Sequence, residues 1–145
     1  ERDNQNQIPR AMTSKESFER LREAEARLKK WDTLKERDAL DEERCQAIRN
    51  LVPEVGLKCT ICYYSDYRAA TVTQVLTERK VAVRFNKTKC LDYFAGDYEI
   101  LPELEGEERI FTKRSNGKWI AEGQLSKDGV RLALHYQRHY INPEY

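Results

Sequence analysis

The chain has little of several things, and each shortage removes a class of protein. It has no charge excess: 26 basic residues stand against 25 acidic ones, so nothing global demands a nucleic-acid partner. No apolar run approaches the roughly 20 residues of a membrane-spanning helix. No charged start followed by an apolar stretch and a small-residue cleavage site marks a signal peptide, so a cytoplasmic location is expected. The cysteines, Cys45, Cys59, Cys62 and Cys90, are too few and too scattered for a secreted disulfide scaffold, and reduced thiols are expected. No P-loop or other glycine-rich phosphate cradle occurs. No internal repeat or low-complexity tract stands out. With 39% hydrophobic and 35% charged residues, the chain is polar for a compact globule, so part of it should lie outside the main core.

What is present divides the chain in two. Residues 1–12 are polar, lack periodicity and contain Pro9, which reads as a flexible arm. Residues 13–55 read as a helical hairpin. Thr13 with Glu16 forms a capping box. Phe18, Leu21, Leu28, Trp31 and Leu34 then recur as one narrow apolar stripe on a highly charged helix, expected to run to about Asp38. A second helix is expected from an Asp41 N-cap, with Leu40 and Cys45 as a hydrophobic staple and Pro53 and Gly56 ending it. The stripe suits packing within the hairpin, docking on the β domain, or a homodimer seam through the first helix.

From Leu57 the period changes from helical to alternating. "LKCTICYY", "ATVTQVL", "VAVRF", "DYEIL" (stopped by Pro102), "ERIFTKR", "KWIAEG" and "GVRLALHY" read as short strands. Thr77 to Lys80 reads as a tight connection, and Asn116-Gly117 is the strongest hairpin signal. The acidic run Glu103, Glu105, Glu107 and Glu108 reads as a solvated loop. Val130, Leu132 and Leu134 are expected inward, which leaves His135 outward and solvated. The expected fold is α+β: an N-terminal helical hairpin attached to a small antiparallel β-barrel-like domain over residues 57–145.

"TICYYSDYRAATVTQV" (Thr60 to Val75), "NGKWI" (Asn116 to Ile120) and "RLALHYQRHYINPEY" (Arg131 to Tyr145) resemble a group of small β-domain proteins encoded by phages and mobile elements. The resemblance covers residues 57–145 and implies a compact barrel of the SH3 or Tudor kind. It implies no catalytic residues. It also implies a protein that binds a host factor, for example as an anti-defence inhibitor of the anti-CRISPR sort.

Three groups of residues carry candidate chemistry. Tyr63, Tyr64 and Tyr67 with Asp66 sit at a strand–loop junction, where aromatics can form a contact surface or a cage for a cation. Arg79, Lys80, Arg84, Lys87 and Lys89, interleaved with Phe85 and followed by Tyr93 and Phe94, form a basic and aromatic stretch that could hold nucleic acid by phosphate neutralisation and stacking. Lys113, Arg114 and Lys118 are expected to rejoin that basic side. Cys59 and Cys62 have zinc-ligand spacing, and His135 and His139 stand at H-x3-H. On a strand, however, positions three apart point to opposite faces, which defeats chelation. Nothing orients a third member for a Cys–His nucleophile. No cofactor and no enzymatic activity are therefore expected. The expected function is non-catalytic binding of a macromolecule, a host protein or ribonucleoprotein first. A nucleic-acid-binding domain using the 79–89 strand face is the alternative, and a zinc or thiol enzyme a distant third.

Overall fold

The computed structural model describes residues 12–142, so nearly all of the expected N-terminal arm, and the last three residues of the β domain, lie outside the described residues. Helix α1 spans Ser14–Leu28 and opens on the expected box. The Thr13 hydroxyl accepts from Glu16 N–H, and the Glu16 carboxylate accepts from Thr13 N–H.

The first helix ends sooner than its stripe suggests. Helix α2 spans Leu34–Arg49, with Thr33 as N-cap accepting from Glu36 N–H. The expected break at Asp38–Asp41 therefore falls inside α2, and the Leu40–Cys45 staple does not form. Thr33-x-x-Glu36 supplies the side chains that satisfy the orphan N–H groups of a new helix. Trp31 and Leu34 belong to the junction and are 41% and 66% exposed. Two other members of the stripe are used within the chain: Leu21 is buried in the main core, and Phe18 packs against it. Arg27–Glu43 and Arg44–Glu25 ion pairs link the helices. Val52 N–H donates to the Ser17 hydroxyl at 3.0 Å, fixing the exit from α2 against α1.

Six strands follow: β1 (Lys58–Cys62), β2 (Tyr67–Thr77), β3 (Lys80–Asp92), β4 (Asp97–Lys113), β5 (Trp119–Ala121) and β6 (Arg131–Ala133). Each pairs antiparallel with the next, and β1 also pairs with β6, so the sheet closes on itself. Closure leaves no free edge along the ring. Alternation places Cys59, Ile61, Ala70, Val72, Val81, Val83 and Phe111 in one core. The protein is α+β, as its periodicities predict. Among the described residues, no helix is long and apolar enough to cross a membrane.

Strand β4 differs most from expectation. "DYEIL" and "ERIFTKR" are one strand, and the acidic run between them is its middle, not a loop. The β3–β4 register slips between Asn86 and Thr88, opposite residues 101–103, and again around Arg84, opposite residues 106–108. Pro102 sits in the first slip, where a missing N–H costs the ladder nothing. Asn86 Nδ2 donates to Leu101 O at 2.8 Å and Arg84 Nε to Gly106 O at 2.9 Å, so side chains replace the interrupted ladder bonds.

The pairing of β2 with β3 ends at Ala70–Phe85, whereas β3 and β4 stay paired out to Asp92–Asp97. Residues 86–104 therefore form a two-stranded arm beyond the ring. The C-terminal segment fills the gap where β2 and β3 part. Gln137 Nε2 donates to Ala70 O, and His139 Nδ1 accepts from Ala69 N–H. Thr60, on the outer face of β1, donates to Tyr136 O and accepts from Arg138 N–H. The segment then follows the arm: a Cβ on Gly96 would stand 2.5 Å from the Tyr140 ring, and Tyr98 meets His139 edge-on at 4.7 Å.

Candidate functional site

The tyrosines of the β1–β2 loop face three environments. Tyr63 is half-buried against the core. Tyr64 is 98% exposed. Tyr67 exchanges two backbone hydrogen bonds with Tyr140, and the Arg138 guanidinium lies 4.8 Å from its ring centroid. The Asp66 carboxylate accepts from Asn142 N–H at 2.8 Å. The chain's own arginine thus takes the cation-binding role on Tyr67 that a cage would offer a ligand.

The basic stretch is dispersed. Arg79 donates to Lys113 O at 3.0 Å, Lys80 pairs with Glu122 at 2.8 Å, and Arg84 is held by Gly106. Lys87 and Lys89 are exposed on the arm, and Lys89 stands opposite Glu99. Phe85 is not a free stacking platform, because the guanidinium groups of Arg68 and Arg109 each lie 4.7 Å from its ring centroid. Beyond the lysines, the tip of the arm presents apolar side chains between Asp92 and Asp97. Leu91 is 55% and Phe94 83% exposed, with Tyr93 packed edge-on to Phe94 at 5.4 Å.

Cys59 points into the core, and Cys62 lies on the opposite face of β1, its sulfur 3.5 Å from the Tyr136 hydroxyl. Burial, with a smaller contribution from Cys62, raises the Cys59 thiol to about 12. Burial and the Cys62 hydrogen bond raise Tyr136 to about 12. A nucleophilic thiolate is thus opposed at Cys59. Cys90 is exposed on the arm. With a thiol reagent at pH 8, Cys90 should react first and Cys59 only on unfolding. Labelling of Cys59 in the native protein at the rate of Cys90 would contradict this placement.

His135 is a correction to the sequence reading. It faces outward from the last strand but is half-buried, because the helices lie over it; Arg44 and Glu25 are its charged neighbours. Burial, then Arg44, lowers its pKa; burial, then Arg68, lowers that of His139. Both imidazoles stay neutral in the fold at a pH where the unfolded chain's, near 6.5, take up protons. Their contribution to stability is therefore complete above pH 6.5 and is lost as the pH falls below it. The urea midpoint should drop between pH 7.5 and 5.5, and a His135→Gln/His139→Gln variant should flatten that drop. A midpoint that holds or rises would contradict it.

Two clefts between the end of α2 and the barrel are not legible in the sequence. One, of about 400 Å³, is lined by Ile48, Leu51, Trp119, Leu132 and Leu134, with Tyr136 and His135 at its polar side. The other, of about 410 Å³, is lined by Arg49, Arg79, Lys113 and Arg114 without a carboxylate. Arg49 and Gly117 belong to both. Gly117, at φ +84°, turns the β4–β5 hairpin and lets the Arg49 stem approach; a Cβ there would stand 2.7 Å from Arg49 Cγ. Arg79 does rejoin Lys113 and Arg114, as the charge pattern suggests, but Lys87 and Lys89 go elsewhere.

Compared with known proteins, the chain matches no family model, no curated sequence and no solved structure.

Proposed function

We propose that the chain is a non-catalytic binding module that engages a protein partner through the tip of the β3–β4 arm. The observation that carries this reading is the exposure of Leu91 and Phe94 at the end of a paired arm that projects past the ring. Large apolar side chains held on a rigid element at little entropic cost are what binding hot spots are made of. Lys87, Lys89 and Glu99 beside the tip form a mixed polar rim. The nucleic-acid alternative is weakened, because Lys80 and Arg84 are engaged within the chain and Arg79 lies beside α2, apart from Lys87 and Lys89 on the arm. On the resemblance of residues 57–145 to phage-encoded β domains, the partner is a host protein and binding inhibits it. A pull-down with tagged protein from host lysate, split into nuclease-treated and untreated halves, tests the reading. A stoichiometric protein retained after nuclease supports it. Recovery of nucleic acid alone, lost with nuclease, would overturn it in favour of the basic strand.

A further inference from the structure

The two clefts at the end of α2 are chemically opposite and adjoin. The larger part of the first is apolar, with Trp119 and Leu132 in its lining. Its lysine and arginines, Arg49, Lys118 and Arg131, are cationic, and no carboxylate lines it. His135 also lines it, and the His135 Nδ1 atom is buried without a hydrogen-bond partner among the described residues. Buried polar atoms are ordinarily satisfied, and an exception asks for an explanation. The second cleft concentrates positive charge. Lys113 is half-buried beside Arg79, and burial followed by Arg79 lowers its pKa, against a weaker opposing effect of Glu78. Arg114 is held by Thr112, Ser126 and Ala121. Arg49 and Lys113 have no ion-pair partner among the described residues. The carbonyl end of α2 lies beside this cleft and offsets part of the Arg49 charge. Arg79 and Lys113 come from the sheet and carry the remainder.

We infer that the adjoining clefts form one site for a small phosphorylated molecule, with the phosphate at Arg49, Arg79 and Lys113 and an apolar or aromatic body against Trp119 and Leu132. The first cleft alone has the size of ordinary small-ligand pockets, about 300–1,000 Å³. Guanidinium groups suit phosphate oxygens because they donate in a planar fork. The site lies at the helix–barrel junction and is independent of the arm tip.

The test titrates isotope-labelled protein with 1-naphthyl phosphate, inorganic phosphate and 1-naphthol, following the Trp119 indole and Gly117 amide signals. The aromatic phosphate should bind at least tenfold more tightly than either half and move both signals. Arg49→Gln, which keeps the stem over Gly117, and Lys113→Gln should each weaken it about tenfold, whereas Lys30→Gln in the α1–α2 junction should not. Adenosine monophosphate and dodecyl phosphate then distinguish a nucleotide from a lipid-like body. Tighter binding of either than of inorganic phosphate supports the site and names the body. Halves that bind as well as the whole, shifts elsewhere, or indifference to Arg49→Gln and Lys113→Gln would overturn it.

Discussion

A chain ending at Ala133 is expected to lose on the order of 5 kcal/mol or more of stability, which is most of what a small domain has. Leu134 is buried, and removing such a side chain costs about 2–5 kcal/mol. The segment that follows it also supplies the hydrogen bonds to Thr60, Ala69 and Ala70 and the backbone pair with Tyr67. Each is worth about 0.5–1.5 kcal/mol net. Its loss uncovers Thr60, Cys62 and Ala69, which are buried on the outer face of β1 and β2. The truncated chain should show no cooperative thermal transition near that of the full chain. Melting within a few degrees of the full chain would mean that the C-terminal segment is a passive tail.

Leu91→Asp with Phe94→Asp should weaken partner binding by more than a hundredfold and leave the melting temperature unchanged. Central apolar anchors typically cost at least about 2 kcal/mol each when truncated, which is about thirtyfold apiece. A buried carboxylate without a partner adds to that. Neither side chain belongs to the core, so the fold should not register the change. Lys87→Gln with Lys89→Gln should cost only a few-fold, because rim charges are screened by salt. A larger loss from the lysine pair than from the apolar pair, in affinity measured on the purified complex, would move the binding energy from the tip to the charges.

Local signals made the fold class legible. The Thr13 box, the Asn116-Gly117 turn and the alternation through Val81 and Val83 are each settled by neighbours in sequence. The parity of Cys59 and Cys62 follows from strand geometry alone and correctly places them on opposite faces. Two misreadings had local remedies. Thr33-x-x-Glu36 has the same form as the box at Thr13, but the apolar stripe running on through Trp31 and Leu34 masked it. Pro102 stops a regular strand but not one with a register slip, and Gly106 shortly after it hinted at a second irregularity. The rest depends on contacts across the chain. Outward on a strand means solvated only where nothing covers that face, and His135 is covered by helices about a hundred residues earlier in the chain. The basic stretch 79–89 runs along one strand, but β3 leaves the ring halfway. Arg79 therefore ends beside α2 while Lys87 and Lys89 ride on the arm. Tyr93 and Phe94 were visible as aromatics, but only the paired arm shows that they are presented rather than packed.

Amide hydrogen exchange of the chain with and without its captured partner tests the central claim most directly. Protection gained on binding should concentrate in residues 90–97, at the tip of the arm, with little change in residues 79–85 or in the β1–β2 loop. Protection centred on residues 79–85 or on Tyr63 to Tyr67, with the tip still exchanging as in the free chain, would contradict it.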